Sequence, residues 1–306
     1  MTRSYRLMGI LNVTPDSFSD GGRFLAPESA IEHGSRLMAE GADIVDVGGE
    51  STRPGAEPVG VKEERSRVLP VIEGLAAARA STQISIDTSK AAVAQVALAA
   101  GASLVNDVTA FRADPEMAGV VADSGAECCL MHMRGEPRTM QADPRYGDVV
   151  DDVKAFLEER LAFAVSEGVS ERRVLIDPGI GFGKTIEHNL ELLRRLDELL
   201  TLGRPIVIGT SRKRFLGQIV AEALAARDAA APGDARAAGD GSAAVAPLDV
   251  ADRLGGTVAS NVLALERGAS VFRVHDVAAV REALAVAAAT LGERWTARSS
   301  PTTPTS

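Results

Sequence analysis

Three cations stand together at Arg212, Lys213 and Arg214 in the stretch IGTSRKRFLG, in a chain whose net charge is −9. They follow directly on an apolar run, Pro205 to Gly209, of buried-strand length. Local positive charge at the end of a buried strand suits an anion, whatever the overall balance of the chain. A second candidate anion contact lies in FRVHD, where Arg273 and His275 are two residues apart and share one face of a strand. The planar guanidinium fork fits phosphate oxygens, and the imidazole adds a hydrogen bond. A buried histidine satisfied by backbone is the ordinary alternative. Acids and amides occur in the same kind of place. Asn12, Asp46, Asp87, Asn106 and Asp177 each sit at the polar end of a short apolar run. Any one of them, taken alone, reads as a cap or a strand-end hydrogen bond. So many together favour a polar pocket.

The elements that must position these residues are written as a repeat. EGADIVDVGGE, AGASLVNDVTA, SGAECCLMHMR and RGASVFRVHDV each carry Gly-Ala after a stretch with helical spacing. Glycine is the expected residue just past a helix end, where φ turns positive. A buried-strand run follows each pair. Five positions after the glycine come Asp46, Asn106 and Arg273; seven after come His132 and His275. An interval of two keeps one face of a regular strand. Runs ending near Asn12, Asp87, Asp177 and Ser211 bring the strand candidates to eight. Helical segments are expected at 28–40, 62–79, 89–99, 114–124, 150–167, 187–202, 250–267 and 277–292. Alternating strands and helices imply parallel pairing with right-handed crossovers. Eight such units predict an α/β fold, a (β/α)8 TIM barrel, as a single domain over 1–296. A doubly wound open sheet is the alternative. In a barrel, Asn12, Asp46, Asp87, Asn106, His132, Asp177, Ser211, Lys213, Arg273 and His275 are expected to converge where strands end.

Two stretches fall outside this pattern. Residues 225–249, between strands 7 and 8, are rich in Ala, Gly, Asp and Pro; the first part can extend a helix and the rest reads as a flexible insertion. The tail 297–306 is expected to be disordered.

Composition excludes other classes. The hydrophobic fraction of 45% supports a sizeable core, but only 4% of residues are aromatic, so that core is aliphatic. Cys128 and Cys129 are adjacent, so on a strand they face opposite ways and are not a disulfide. They read as small core residues and suit a reducing compartment. No stretch has the length of a signal peptide or a membrane span, which points to a cytoplasmic protein. The acidic balance argues against a nucleic-acid partner.

The loops carry the remaining signals. DPGIGFGKT resembles a phosphate loop, but that motif needs glycine where Pro178 stands. It reads instead as a glycine-rich loop that lets backbone approach a flat ligand, with Lys184 as a solvated charge. NVTPDSFSDGG and GGESTRPGAEP are expected to cover the barrel mouth, the first with Phe18 for an aromatic ligand, the second with Arg53 for an anion. There is no HExxH and no Cys/His cluster, hence no zinc site. Magnesium held by one or two oxygens and a diphosphate leaves almost no trace in a sequence.

Taken in order, MGILNVTPDSFSDGG, DVGGESTRPGA, SIDT, VNDV, LMHM, DPGIGFGK, SRKRFLG and RVHD resemble the dihydropteroate synthases of folate synthesis, over about residues 7–292. The insertion 225–249 is longer than that family usually carries. The resemblance implies condensation of 6-hydroxymethyl-7,8-dihydropterin diphosphate with 4-aminobenzoate to 7,8-dihydropteroate and pyrophosphate, with magnesium, on a (β/α)8 barrel that is commonly a homodimer. It implies a pterin pocket of Asp87, Asn106, Asp177 and Lys213, with Met131 and Phe182 as apolar walls. Asn12 would help to hold magnesium and diphosphate, with Arg273 and His275 on the phosphates. Phe18, Thr52, Arg53, Pro54 and Ser211 would line the aminobenzoate side, and Gly209 is carried over among the substrate-binding positions. Lys213, Arg273, His275 and Asp87 are the expected catalytic group. Two other readings share the barrel: a pterin-dependent methyltransferase, which should not need the SRK and STRPG elements, and a paralogue that binds pterin without turnover.

Overall fold

The structure is a computed structural model that describes residues 5–14, 27–52, 55–78, 81–135, 139–229 and 245–292. Phe18, Arg53, Pro54, most of the insertion 225–249 and the tail 297–306 lie outside the described residues.

Eight strands form the centre: β1 (Arg6–Asn12), β2 (Ile44–Gly48), β3 (Gln83–Asp87), β4 (Leu104–Asp107), β5 (Glu127–Met131), β6 (Val174–Asp177), β7 (Val207–Ile208) and β8 (Val271–Val274). Every pairing between them is parallel, in the order β6-β5-β4-β3-β2-β1-β8-β7. The two ends meet through a parallel bridge between Ile176 and Ile206, with the Ile176 amide donating to Pro205. The order is the chain order closed on itself. A doubly wound sheet requires a reversal in that order, so the fold is the expected (β/α)8 barrel.

Helices surround it: α1 (Pro27–Glu40), α2 (Val61–Ala77), α3 (Ala91–Ala99), α4 (Met117–Ser124), α5 (Val149–Ser166), α6 (Ile186–Arg194), α7 (Arg214–Ala229), α8 (Leu254–Glu266) and α9 (Val277–Leu291). Two expected helices are corrected. The one at 187–202 stops at Arg194 and continues as a 3-10 stretch over Leu196–Leu202. Its buried leucines, Leu196 and Leu199, are three apart, which matches a three-residue turn. The one at 250–267 begins as a 3-10 turn and becomes α-helical at Leu254. A separate helix, α7, follows β7 and runs into the first part of the insertion.

Alternation along the strands sorts the core into two shells. Met8, Ile44, Leu104, Cys129, Leu175, Val207 and Val271 fill the barrel interior. Their neighbours Leu7, Val45, Val105, Cys128, Ile176, Ile208 and Phe272 pack outward against the helices. The two cysteines therefore fall on opposite sides of β5, free and buried. Burial pushes both thiols well above their ordinary range. Arg6, Gln83 and Glu127 close the other end of the barrel with a hydrogen-bonded polar plug.

Gly41, Gly101, Gly125 and Gly268 all have positive φ, as the repeat requires. The strands begin three residues after Gly41, Gly101 and Gly268 but two after Gly125. The offset from glycine to strand is thus one residue shorter in the third repeat. That difference reverses the faces of β5, with consequences for His132.

Candidate functional site

The C-terminal ends of the strands hold a buried network of charge. Arg273 on β8 donates from Nε to Asp46 Oδ2 on β2 and from Nη2 to Asp87 Oδ2 on β3, each at 2.6 Å. Asn106 on β4 donates to the same Asp46 oxygen at 3.0 Å. The register makes this possible, because Asp87 pairs with both Gly48 and Asn106. Glycine at 48 leaves a gap, since a Cβ there would lie 3.6 Å from Asp87 Oδ2 and 3.7 Å from Asn12 Oδ1. Asn12 at the tip of β1 therefore borders the network. Gly209 lies beside it as well, its missing Cβ 3.9 Å from the Arg273 Cβ.

Asp177 ends β6 next to Met131 of β5. Its Oδ1 accepts the Gly179 amide at 2.6 Å. Lys213 comes from the loop after β7. Its ammonium donates to the Ile180 carbonyl and lies 4.7 Å from the Phe182 ring centre. Phe182 packs against Val108, Met131, Met133 and Met140. A polar floor of acids, amide, lysine and arginine is thus walled on one side by Phe182 and methionines. Ser211 and His275 lie at the rim and bond to each other. The Ser211 Oγ is 3.0 Å from His275 Nδ1 and accepts the His275 amide at 3.1 Å. Thr52 is half-buried, past the end of β2.

Burial sets the electrostatics. Asp87 is pushed up to about 7, because desolvation and the nearby Asp46, Glu64 and Asp107 charges outweigh Arg273. Asp177 is raised by burial, with Lys213 and the Gly179 amide pulling the other way. Lys213 is lowered to about 8, chiefly by loss of water. Arg273 is raised: its burial penalty is overcome by Asp46 and Asp87.

Of the residues expected to converge, Asn12, Asp46, Asp87, Asn106, Asp177, Lys213, Arg273, Ser211 and His275 do so. His132 does not. Its ring packs edge-on against Phe156 of α5, with centres 4.8 Å apart. With the shorter offset after Gly125, Met131 and Cys129 face inward and His132 faces the helices. Burial, aided by Lys184 and Arg112, pushes its imidazole down to about 2.

Lys184 is also corrected. It is not solvated but 3% exposed, donating to His132 Nδ1 at 2.9 Å and to the Phe182 carbonyl at 3.1 Å. Nor does the glycine-rich loop exist only to admit a ligand. Gly179, Gly181 and Gly183 all have positive φ. A Cβ at Gly179 would sit 1.8 Å from the His132 carbonyl oxygen, and one at Gly183 2.5 Å from that of Arg134. The glycines let this loop pack on the backbone after β5. Thr185, the last residue of the failed phosphate motif, is the N-cap of α6 in a capping box with His188. Arg212 turns away from the site in the left-handed region, φ +58, and pairs with Asp276. Asp46 was legible as a strand-end acid, but its part as the partner of Arg273 had no signal in the sequence.

Comparison with known proteins agrees with this geometry. A family model described as pterin binding enzyme matches residues 8–275. The dihydropteroate synthase of Mycobacterium leprae is 46% identical, over 94% of this chain and 93% of its own length. That of Escherichia coli K12 is 41% identical, over 94% and 92%. The structure of Xanthomonas albilineans dihydropteroate synthase with 4-aminobenzoic acid has 45% identity and a TM-score of 0.80, covering 95% of this chain and 94% of that one. A second structure of that enzyme, in complex with 7,8-dihydropteroate, has 43% identity and a TM-score of 0.77 over 95% and 94%. With the barrel, the polar floor and this likeness over nearly its whole length, the chain belongs to the dihydropteroate synthases, transferases of the pterin binding enzyme family.

Proposed function

We propose that this chain joins 6-hydroxymethyl-7,8-dihydropterin diphosphate to 4-aminobenzoate in the mouth of its barrel, giving 7,8-dihydropteroate and pyrophosphate. The observation that carries the residue roles is the floor itself, where Asp46, Asp87 and Asn106 meet Arg273, beside Asp177 and Lys213. A pterin presents amide and amidine edges, and Asp87, Asn106 and Asp177 offer the acceptors and donor they need. Lys213 supplies a further donor, and Met131 and Phe182 the apolar walls. Such a floor is costly without a ligand that completes its hydrogen bonds.

The chemistry follows from where the cations are. The carbon–oxygen bond between the pterin CH2 and the diphosphate breaks, and the electron pair leaves with pyrophosphate. The cation-like CH2 is stabilised by the electron-rich ring. Among the described residues, Nη1 of Arg273 carries no hydrogen bond, so it is available to the leaving group. His275 adds a donor at the rim. Preorganised charge of this kind acts most strongly where water is excluded. The aminobenzoate nitrogen then forms the new carbon–nitrogen bond and releases a proton, with no strong base required. Ser211, just ahead of α7, is suited to the carboxylate, and Thr52, Arg53, Pro54 and Phe18 to the ring.

Magnesium fits the donor set, because among the described residues Asn12 Oδ1 and Asp87 Oδ2 both border the space beside Gly48. One protein oxygen plus diphosphate oxygens is an ordinary arrangement for this ion. When bound it supplies positive charge against the departing diphosphate. We place the enzyme in the cytoplasm as a homodimer. Among the described residues no helix is long and apolar enough to cross a membrane. Leu263 and Val286, on the helices α8 and α9, are more than half exposed, which suits a subunit contact.

The test is pyrophosphate release. It should require both the pterin diphosphate and 4-aminobenzoate. No release, with tight pterin binding intact, would mean a binding protein without turnover.

A further inference from the structure

Glu50 follows β2 and makes two attachments at once. Its Oε1 accepts the Val59 amide at 2.8 Å, which ties together the two ends of the stretch between them. Its Oε2 lies 2.6 Å from the ammonium of Lys90. Lys90 stands in the loop after β3, three residues beyond Asp87, and its amide donates to Thr88 Oγ1. The same ammonium is 2.5 Å from Oε2 of Glu64 on α2. Glu64 is wholly buried, and its Oε1 finds no partner among the described residues. Gly49 lies against Glu64, since a Cβ there would be 3.0 Å from the Glu64 Cγ and 2.8 Å from Val68. Arg67 of α2 holds the Gly49 carbonyl at 2.7 Å.

An ion pair with one member as buried as Glu64 is a poor source of stability. Removing two charges from water costs about as much as their attraction returns, and an apolar replacement is often neutral or stabilising. A half-satisfied buried carboxylate makes the balance worse. What the cluster does provide is geometry. It fixes the backbone on both sides of Thr52 and locks it to the strand that ends in Asp87. Thr52 heads the residues placed on the aminobenzoate side, so this inference rests on the function proposed above. We propose that Glu50, Lys90 and Glu64 form an ionic clamp that positions the aminobenzoate side of the site relative to the pterin floor. Glu50 and Lys90 are positioning residues and touch no substrate.

The clamp is tested in the full-length protein with Glu50→Ala and Lys90→Met, and with Lys90→Arg as the conservative variant. Hydrogen exchange at the Val59 amide should speed up at least tenfold in Glu50→Ala. The KM for 4-aminobenzoate should rise at least tenfold in both Glu50→Ala and Lys90→Met, while the Kd of the pterin diphosphate stays within twofold. Lys90→Arg should recover most of the loss. An unchanged aminobenzoate KM, or a parallel loss of both substrates, overturns the clamp. A wild-type protein that releases no pyrophosphate refutes the proposed function instead, and the exchange rate at Val59 then judges the clamp alone. Thr52→Ala run alongside separates the two further. If it leaves the aminobenzoate KM unmoved while the clamp variants raise it, the role of Thr52 fails and the clamp stands.

Discussion

Gly179→Ala should damage both stability and pterin binding by more than its conformational cost. Gly179 has φ +66, a region that costs alanine about 1–2 kcal/mol. Its Cβ would also lie 1.8 Å from the His132 carbonyl oxygen, and reaching the 3.0 Å floor of real contacts takes a shift of 1.2 Å. The oxygen belongs to a backbone hydrogen-bonded to Asp177, so it cannot swing aside as a side chain would. The loop must move, and with it the Gly179 amide that bonds Asp177 Oδ1 at 2.6 Å. Losing a hydrogen bond to a buried carboxylate costs about 1.5–3 kcal/mol. The expected total is about 2.5–5 kcal/mol. Gly203→Ala is the control. It has nearly the same φ, +67, and nothing within 4 Å of the added Cβ, so it isolates the backbone cost. Urea denaturation should show Gly203→Ala down by about 1–2 kcal/mol with normal turnover, and Gly179→Ala down by at least a further 1.5. Misplacing a binding group by about 1 Å can cost about 100-fold in rate, so Gly179→Ala should lose pterin affinity and turnover on that scale. Equal stability losses in the two variants, with pterin affinity unchanged in both, would refute the role given to this packing.

Two further outcomes follow from the buried charges. The Asp87 carboxyl is raised to about 7, so between its unfolded value near 4 and that pH the native state holds a proton the unfolded chain has lost. Its contribution to stability is full below pH 4 and disappears as pH rises through 7, by at most about 4 kcal/mol; urea denaturation across this range should show the fall, and Asp87→Asn should flatten it. Lys184→Met removes a positive charge that helps to hold His132 down, so the imidazole should titrate at higher pH by NMR while burial keeps it below its ordinary range. The same change should cost about 1–3 kcal/mol by leaving the Phe182 carbonyl without its donor.

The barrel was legible because its repeat is written in glycine. A helix that hands over to a parallel strand needs a left-handed residue at the junction, and Gly41, Gly101, Gly125 and Gly268 supply it. The site was legible for a related reason. Parallel strands all end on one side, so a polar residue at the end of each apolar run must meet the others, whichever helices lie between. What the sequence hid depends on single-residue offsets and on loops. β5 starts two residues after Gly125, where the other repeats have three, and that one residue decides that Met131 and not His132 looks into the barrel. No periodicity within so short a strand carries that information. Lys184 looks like a surface lysine because its partners, His132 and the Phe182 carbonyl, come together only when two loops pack. Glycines 179 and 183 announce a close approach without saying to what, and the answer is the backbone after β5, not a ligand. The pairing of Arg273 with Asp46 and Asp87 is likewise a product of closure. β8 becomes the neighbour of β1 only when the sheet curls on itself, and the arginine then reaches across to β2 and β3. Local sequence therefore reports which residues stand at the mouth, while barrel closure decides which of them are bound to one another. The most consequential electrostatic feature, two buried carboxylates held by one guanidinium, belongs to that second kind.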